Sequence, residues 1–482
     1  MTRPPDAVVV GSGPNGLAAA ITLARAGMAV DVIEGAAGPG GGCRTSELTL
    51  PGFAHDDCSA VHALAAASPF FQTIDLAARG AHLTAPPAAL AHPLDGGQAA
   101  AITGLPAATA ASLGDPGYRR LMEPLVRDAS AIAATFLAPL RTIPARPAAA
   151  ARFAAAAILP AAVLARPLRT PAGRALLAGL AGHSMLPLSA PVSGGFGLFL
   201  GLLAHTTGWP VVTGGSARLT EALLAELAAL GGRVETGRWI RRIEDLPPAP
   251  VIMLDVAPRA LARIAGARLP AGYLRALSRV RYGPGVCKVD WAVAGPVPWT
   301  APACRQAGTV HLGGSLAQIA ASEADVAAGR HPDRPYCIVT QPCVADPGRA
   351  PAGRHTLWAY CHVPPGSTAD MTGPIEAQLE RFAPGFADLV LARHVRTAAD
   401  IAAANPNYVG GDINGAAATL RQTLLRPVPR WNPYRTPARG IYLCSAATPP
   451  GGGVHGMCGA WAAATALRDA GLPAPAVTAR PG

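Results

Sequence analysis

A strand, three glycines and a helix within residues 7–26 constrain the fold of this chain more than any other feature. The strand is a run of small apolar residues, and the glycines follow it at positions 11, 13 and 16. In such a unit Gly11 permits a tight turn, Gly13 lets the backbone approach a pyrophosphate, and Gly16 lets the helix pack closely on the strand. The pattern therefore predicts a βαβ unit that binds a dinucleotide.

The residues around the last glycine complete the predicted site. Pro14 and Asn15 begin the helix, whose first N–H groups and positive dipole end favour phosphate. A second apolar strand, residues 29–33, leads to Glu34. This acid follows Gly16 at close to the ~20 residues expected of a carboxylate that accepts hydrogen bonds from ribose. The alternative is an ordinary βαβ unit whose glycines serve only packing.

A glycine-rich loop comes directly after this acid. It contains Gly40, Gly41 and Gly42, followed by Arg44. Such a loop can wrap tightly around a ligand, because glycine lets backbone atoms approach closely. The arginine could pair with phosphate oxygens. We therefore expect this loop to contact the dinucleotide.

The carboxy-terminal segment repeats the arrangement of strand, glycine-rich turn and helix. A strand at residues 440–446 leads through Ser445 into a turn at 448–457, and a helix is predicted from about 458 to 470. Its exposed N–H groups would again favour negative charge. Two such turns at opposite ends of a chain suggest one long ligand with two ends, and flavin adenine dinucleotide (FAD) fits best. We therefore include Ser445 and Met457, at the two ends of this turn, among the cofactor-binding candidates.

Composition narrows the class of protein. The formal net charge is +11, but the arginines are scattered and lack the interleaved aromatic residues that stack on bases, so we expect no nucleic-acid partner. Contact with an anionic membrane surface stays open.

None of the nine cysteines forms a Cys-x-x-Cys pair, and no secretory leader is recognised. We expect a cytoplasmic protein with reduced thiols, no metal site and no transmembrane helix.

The pattern of elements predicts three regions. We assign residues 1–74, 206–259 and 421–482 to a discontinuous nucleotide-binding domain. Residues 75–205 are rich in Ala, Leu and Pro and are predicted to form a mostly helical insertion. Residues 260–420 alternate short strands with helices and are predicted to form a mixed α+β substrate domain. Ser216 is the predicted N-cap of a helix that leads to a strand around Val234.

These pieces together resemble the flavin-dependent phytoene dehydrogenase-like oxidoreductases. That group includes carotenoid desaturases and isomerases, retinol saturase and the pyridine-nucleotide-disulfide-oxidoreductase-domain proteins. The matching residues are 8–17, Glu34 with Gly40-Gly41, Gly214-Gly215-Ser216, and 442–456. The resemblance implies an α/β fold with a discontinuous, glutathione reductase-like, Rossmann-type FAD-binding domain and an inserted substrate domain. It also implies long apolar substrates taken from membranes.

The resemblance also assigns roles to single residues. Gly11, Gly13 and Gly16 would face the pyrophosphate and Glu34 the ribose, while Gly40, Gly41 and Arg44 would line the pyrophosphate–ribityl stretch. The backbone at Val234 would touch adenine. Gly452, Gly453 and Val454 would border the flavin ring. Two segments, 405–414 and 426–430, are most similar to bacterial members, and a hairpin common in the family is missing between residues 236 and 250.

These observations favour an FAD-dependent oxidoreductase. The expected reaction is carbon–carbon desaturation or saturation of a lipophilic, isoprenoid- or carotenoid-like substrate, with hydride transfer at flavin N5 and a quinone or dioxygen as electron acceptor. A flavin-dependent isomerase, an amine or amino-acid oxidase, and a flavin-binding scaffold without turnover are the alternatives. The amine oxidases resemble the chain less, because their last turn carries a glutamate where this chain has Ser445 to Thr448. The sequence does not reveal the oligomeric state.

Only one residue is predicted to be catalytic. His455 lies inside the last glycine-rich turn and could move protons near neutral pH. His62, His183 and His205 are predicted to be structural. His55, Asp56 and Asp57 resemble a ligand cluster, but adjacent carboxylates point apart, and we expect a solvated loop there.

Overall fold

The structure is a computed structural model that describes residues 4–475. Strands and α-helices are distributed along the whole described chain, with seven consecutive helices between residues 106 and 206. The strands are β1 Ala7–Val10, β2 Val30–Ile33, β3 Thr45–Ser46, β4 His55–Asp56, β5 Leu83–Thr84, β6 Ala88–Pro93, β7 Ala99–Ile102, β8 Val211–Val212, β9 Arg233–Glu235, β10 Val251–Leu254, β11 Gly285–Val293, β12 Ala307–Leu312, β13 Cys337–Thr340, β14 His355–Val363, β15 Val390–Arg396 and β16 Ile441–Leu443. The α-helices are α1 Pro14–Arg25, α2 Ala63–Ala67, α3 Pro106–Leu113, α4 Pro116–Arg127, α5 Ala129–Phe136, α6 Pro147–Ala157, α7 Ala161–Leu164, α8 Pro171–Gly182, α9 Ser193–Thr206, α10 Ala217–Ala229, α11 Pro258–Ile264, α12 Ala271–Leu277, α13 Leu316–Ala327, α14 Thr372–Phe382, α15 Ala398–Ala404, α16 Leu420–Leu425 and α17 Met457–Asp469.

Five parallel strands from three distant parts of the chain form the nucleotide-type sheet. Their order is β16-β10-β1-β2-β9. The central strand β1 is buried throughout, as expected for a parallel sheet covered on both faces. Helix α1 packs against α10 and α17 on one side of this sheet. The predicted α/β fold with a discontinuous Rossmann-type domain is therefore confirmed.

The opposite face of this sheet is covered by helices that we assigned to the substrate domain. Leu261 and Ile264 of α11 and Leu277 of α12 share one apolar cluster with Val8 and Leu254. The expected boundary at residue 260 therefore cuts through a packed unit. The segment between β9 and β10 holds only a 3-10 turn at Ile243–Asp245, so it forms no hairpin.

A second sheet of seven strands has the order β15-β11-β14-β13-β12-β6-β7. Most neighbours are antiparallel, and β6 runs parallel to β12. Strands β6 and β7 lie inside the segment that we predicted to be mostly helical, so part of residues 75–205 belongs to this sheet. Their Ala-rich sequences favour helix by local propensity, whereas pairing of β6 with β12 and of β7 with β6 fixes them as strands.

Helices α3 to α9 form the rest of that segment. Helix α9 packs against α8, α6, α4 and α7. Leu198, Leu202 and Leu203 of α9 are fully or almost fully buried in the largest apolar cluster, together with Leu176 and Leu180 of α8. Across residues 4–475, every helix falls short of the length and apolarity that crossing a bilayer requires.

Candidate functional site

One cavity of about 970 Å³ brings the two glycine-rich turns together. It runs along the carboxyl ends of β1, β2 and β10, where an open parallel sheet is expected to bind ligands. Its volume lies at the upper end of the ~300–1,000 Å³ typical of ligand pockets. The predicted cofactor-binding residues that line it are Gly11, Gly13, Pro14, Asn15, Glu34, Gly41, Gly42, Arg44, Ser445, Gly453 and Val454.

The first glycine turn has the close approaches that its sequence predicts. Gly11 has a φ of +97°, and a Cβ atom there would lie 2.9 Å from the carbonyl oxygen of Asp255. A Cβ atom on Gly16 would overlap the carbonyl oxygen of Gly11. Gly13 is the N-cap of α1 and has no side chain between its backbone and the cavity. The turn therefore leaves room for a phosphate group beside Gly13. Gly16 allows the helix to pack closely on the turn, and it does not line the cavity.

Glu34 is held at the edge of the cavity by three hydrogen bonds. Its Oε2 accepts from the backbone N–H of Ser12 at 2.8 Å and from the Ser12 hydroxyl at 2.6 Å. Its Oε1 accepts from the N–H of Ala36 at 2.9 Å. These bonds fix the carboxylate next to the pyrophosphate turn, and the remaining lone pairs can accept from ribose hydroxyls.

Asp255 also belongs to this site, and sequence reasoning gave it no role. It follows β10 directly, and its Oδ2 accepts from the N–H of Gly16 at 2.8 Å. Desolvation, with repulsion from Glu34, raises the pKa of this carboxyl to about 7. The sequence holds a signal for this role, since Asp255 directly follows the apolar run Val251–Leu254, and polar side chains at the carboxyl end of a buried strand commonly meet a ligand. The structure therefore places a titrating acid beside the proposed diphosphate.

The raised pKa of Asp255 predicts that binding of FAD would depend on pH. The ionised carboxylate repels a diphosphate and the protonated acid does not, so we expect the FAD affinity of the wild type to fall as pH rises through about 7. Asp255→Asn keeps a side-chain oxygen for the N–H of Gly16 and should give a flat profile. Equilibrium titration with FAD between pH 5.5 and about 8.5 checks this, since that range spans the pKa. Equal pH dependence of the two proteins would contradict the assignment.

The adenine end differs from the prediction. Val234 pairs with Val32 inside the sheet and does not line the cavity. The lining there comes from Trp239, Ile240 and Arg241, a few residues beyond β9. The indole of Trp239 lies so close to Gly35 that a Cβ atom on the glycine would be 2.7 Å from the ring. The correction follows from geometry, because a residue paired within the sheet lies behind its carboxyl edge.

Several other predicted cofactor-binding residues do not line the cavity but support the loops that form it. Met457 is completely buried at the start of α17. A Cβ atom on Gly452 would lie 2.7 Å from the carbonyl oxygen of Asn414, and one on Gly40 would lie 2.7 Å from the Thr220 hydroxyl. These positions shape the two loops, and it is their neighbours Gly41, Gly42, Gly453 and Val454 that line the cavity.

The predicted proton-moving role of His455 does not fit its surroundings. Its ring is buried, Nε2 lies 3.1 Å from the carbonyl oxygen of Gly451, and Nδ1 accepts from the N–H of Met457 at 3.0 Å. Desolvation lowers the pKa of this imidazole to about 4. A neutral ring that donates from Nε2 and accepts at Nδ1 satisfies both contacts. His455 therefore holds the turn in shape and is absent from the cavity lining.

Removal of this ring should affect stability rather than proton transfer. We expect His455→Ala to lower the free energy of unfolding by about 1–3 kcal/mol, because it leaves the buried N–H of Met457 unpaired and leaves the Gly451 carbonyl with only the weak Cys458 thiol donor. His455→Asn retains a donor and an acceptor and should lose less. Chemical denaturation of the two variants tests this. A large change in the pH profile of flavin reduction, with unchanged stability, would restore the catalytic assignment.

The expected solvated loop at His55, Asp56 and Asp57 is wrong for its first two residues. His55 and Asp56 are almost fully buried in β4. Oδ2 of Asp56 lies 2.6 Å from an Arg349 guanidinium nitrogen, and Oδ1 accepts from the N–H of Ser216 at 2.7 Å. The described residues contain no group of three or more His, Cys, Asp or Glu side chains arranged to hold a metal ion. Asp56 therefore anchors loops behind the site.

The remaining histidines divide between structure and site. Nε2 of His62 lies 2.9 Å from the Ser216 hydroxyl, and His205 lies between the Tyr118 hydroxyl and a backbone carbonyl. Ser216 occupies the predicted N-cap position of α10, but its hydroxyl donates to the Ser59 carbonyl and caps nothing. His183 differs, because it lines the cavity.

Beyond the two turns, the same cavity continues to the seven-stranded sheet and to α2 and α9. Residues from 404 to 415 close one side of it, and sequence reasoning gave them no site role. The lining of this far end is Val61, Leu64, His183, Leu200, Trp209, Thr309, Ile338, Thr340, Trp358 and Tyr360. It is mainly apolar or aromatic and is built from both the helical segment and the substrate sheet.

The residues present fit FAD. The glycine turn leaves an unblocked approach to the start of α1, Glu34 is fixed where a ribose would lie, and the last glycine turn borders the same cavity. The side-chain oxygen of Asn15 is buried without a hydrogen-bond partner at the first turn of α1. Such an atom is expected where a bound group supplies the missing contact.

Comparison with known proteins agrees with this geometry. The family model of the NAD(P)-binding Rossmann-like domain matches residues 9–76. Pyridine nucleotide-disulfide oxidoreductase domain-containing protein 2 of Mus musculus is 27% identical over 310 residues, which are 56% of this chain and 53% of that protein. The Rattus norvegicus protein is also 27% identical, over 300 residues, 54% of this chain and 51% of that protein. The chain thus spans about half the length of the curated relatives it matches.

Solved structures are similar over nearly the whole chain. An oxidoreductase from Methanosarcina mazei has a TM-score of 0.63 at 16% identity, covering 96% of this chain and 99% of that one. Cyclohexylamine oxidase from Brevibacterium oxydans has a TM-score of 0.59 at 15% identity, covering 97% and 100%. Putrescine oxidase bound to putrescine has a TM-score of 0.61 at 18% identity, covering 98% and 100%. The chain therefore has the α/β fold of these three solved structures, with a Rossmann-like dinucleotide-binding domain.

Proposed function

We propose that this protein is an FAD-dependent oxidoreductase that desaturates or saturates carbon–carbon bonds of a lipophilic substrate. The observation that carries the proposal is the single cavity, which joins the Gly11–Gly16 turn, the Gly451–Val454 turn and a mainly apolar far end. A cofactor that lies along the first part of this cavity would present its far end to the apolar part. The resemblance to phytoene dehydrogenase-like enzymes supports the reaction type, and an isoprenoid or carotenoid-like substrate agrees with the lining.

Each part of the chain has a defined task in this proposal. The backbone at Gly13 and the first turn of α1 bind the diphosphate, Glu34 binds the ribose, and Gly453 with Val454 borders the ring system. Bound FAD would supply the hydride acceptor at its N5 atom. Leu64, Leu200 and Trp209 exclude water from the apolar end and orient the substrate there, which is how a protein assists such a transfer.

The partners of this protein are also part of the proposal. We infer a quinone or dioxygen as electron acceptor, because only one dinucleotide fingerprint is recognised in the chain. A lipophilic substrate favours transient contact with a membrane surface. Leu140 and Ile143 are 68% and 87% exposed, and they lie beside Arg141 and Arg146, which suits an anionic headgroup layer.

A second candidate, amine oxidation, is favoured by one observation, the similarity of the fold to putrescine oxidase and cyclohexylamine oxidase. The far end of the cavity argues against it. Among the described residues that line that end, none is an aspartate or a glutamate that could bind an ammonium group. The two reactions differ in a measurable product, since an amine oxidase that uses dioxygen releases peroxide when amines are added.

The test is anaerobic reduction of the FAD-loaded protein. Purified protein should show a flavin spectrum. A panel of isoprenoid alkenes and their saturated analogues should contain a member that bleaches the oxidised flavin, as desaturation requires, or a member that re-oxidises chemically reduced flavin, as saturation requires. An isomerase would need prior reduction and would remain reduced through turnover. A flavin-loaded protein that no lipophilic compound bleaches, while amines do, would overturn the proposal in favour of the second candidate. A flavin-loaded protein whose oxidised flavin nothing bleaches and whose reduced flavin no alkene re-oxidises would favour a scaffold.

A further inference from the structure

The far end of the cavity contains a row of polar side chains across three strands. Thr309 of β12 pairs with Thr340 of β13, which pairs with Trp358 of β14. Paired residues in neighbouring strands project from the same face of the sheet. All three line the cavity and are at least 95% buried. The sheet therefore presents polar groups as well as apolar ones to a substrate in the cavity.

The polar atoms of this row have no partner within the described structure. The hydroxyl oxygens of Thr309 and Thr340 and the indole nitrogen of Trp358 are buried and make no hydrogen bond. Native proteins pair the large majority of such atoms, so three orphans in one row call for an explanation. A ligand that enters the cavity and completes these bonds provides one.

A second row lies two residues along the same strands. His311 pairs with Ile338, and Ile338 pairs with Tyr360. Nε2 of His311 lies 2.9 Å from Nε2 of His183, which leaves Nδ1 of His183 for a ligand in the cavity. Burial lowers the pKa of His183 to about 3 and raises the pKa of the Tyr360 phenol, so both groups are neutral.

The positions of the charged side chains around the cavity distinguish the possible ligands of its far end. The charged side chains that line the cavity all belong to its nucleotide-binding part: Glu34, Arg44, Arg238, Arg241, Asp255, Arg259 and Arg263. Lys288, next to Tyr360 in the sheet, has its ammonium 2.5 and 2.6 Å from the two carboxylate oxygens of Asp290. A carboxylate or an ammonium ligand would therefore lie at the far end without an opposite charge, which is costly.

The unpaired groups at the far end of the cavity favour a ligand that accepts hydrogen bonds. The N–H of Trp358 can only donate, whereas the threonine hydroxyls can donate or accept. A hydrocarbon offers no acceptor, and an ammonium group offers only donors. We propose that this end of the cavity binds a neutral oxygen function, a hydroxyl or a carbonyl, carried by an otherwise apolar substrate. The inference rests on the proposed function, because it names the substrate class of the same site.

The test compares ligands that share one carbon skeleton. Binding of octane, octan-1-ol, octan-2-one, octanoate and octylamine to the FAD-loaded protein is measured by isothermal titration calorimetry. We expect the alcohol or the ketone to bind at least about 10-fold more tightly than the other three, since each 1.4 kcal/mol is tenfold and one or two hydrogen bonds supply it. FAD loading and flavin bleaching are scored separately, so a failure of the proposed function shows there and not in the order of ligands.

Two variants and a control separate recognition from structure. The double variant Thr309→Val with Thr340→Val and the variant Trp358→Phe should reduce the preference for the oxygenated ligands to less than about 3-fold, because they remove the unpaired atoms. The double variant should also raise the melting temperature of the ligand-free protein, since valine has the same shape and buries no unpaired hydroxyl. Thr423→Val, on α16 outside the cavity, is the matched control and should keep the preference.

The outcomes decide the inference either way. Preference for the alcohol or ketone in the wild type, with its loss in both row variants, supports it. Equal or tighter binding of octane, octanoate or octylamine overturns it, as does an unchanged preference in the row variants. Binding of no member of the series also overturns it.

Discussion

Substitution of Gly13 by valine should abolish useful FAD binding while the protein stays folded. Gly13 has a φ of −66°, which valine can adopt, and the nearest atom to a new Cβ is Oδ2 of Asp255 at 3.1 Å. The added methyl groups would occupy the space where the diphosphate approaches the first turn of α1. We expect FAD affinity to fall at least about 100-fold, or about 3 kcal/mol, measured by equilibrium titration of the apoprotein.

Gly373 provides the matched control for this substitution. It lies in the first turn of α14, and a Cβ atom there would have no neighbour within 4 Å. Gly373→Val should therefore leave FAD affinity unchanged. If Gly13→Val is folded and binds FAD within about 3-fold of the wild type, which is less than 1 kcal/mol, the diphosphate does not lie at this turn.

Loss of the Arg349 guanidinium should cause the largest loss of stability that the structure predicts from a single side chain. Arg349 is 1% exposed and bonds to Asp56 at 2.6 Å, to Asp346 at 3.0 Å and to the Ala54 carbonyl at 3.2 Å. Arg349→Met would leave two buried carboxylates without their cation. Breaking a buried pair in this way costs about 3–5 kcal/mol.

Urea-induced unfolding checks this prediction against a matched substitution of an exposed arginine. Arg330→Met removes an exposed pair with Asp325 and should stay within about 0.5 kcal/mol of the wild type, and an equal effect of the two substitutions would refute the anchoring role of Arg349.

The parts of the fold that local sequence determines were predicted well. The βαβ unit at residues 7–34 has its own start, turn and stop signals, and the structure has β1, α1 and β2 there. The last strand and helix are equally clear. In these units consecutive residues carry both the turn residues and the apolar periodicity, so a short stretch of sequence is sufficient to predict the strands and helices.

The parts that depend on distant pairing were not predicted. Strands β6 and β7 consist largely of alanine, and only the pairing of β6 with β12 and of β7 with β6 makes them strands. Asp56 has the sequence surroundings of a loop, yet Arg349, almost 300 residues further on, buries it. The role of His455 was also not predicted, because its protonation depends on its burial by the surrounding turn and not on its residue type. Such features arise from tertiary contacts that no local window contains.

The most direct test of a single cofactor bound by both ends of the chain is a competitive titration of the apoprotein with FAD, FMN and ADP. In the proposed arrangement FAD would reach from the Gly11–Gly16 turn to the Gly451–Val454 turn, whereas each of the smaller molecules would contact only one of them. One FAD should bind per chain, at least about 100-fold more tightly than FMN or ADP, since linking two contacts adds their free energies. Failure to bind FAD, or equal binding of FMN or ADP, would contradict the account.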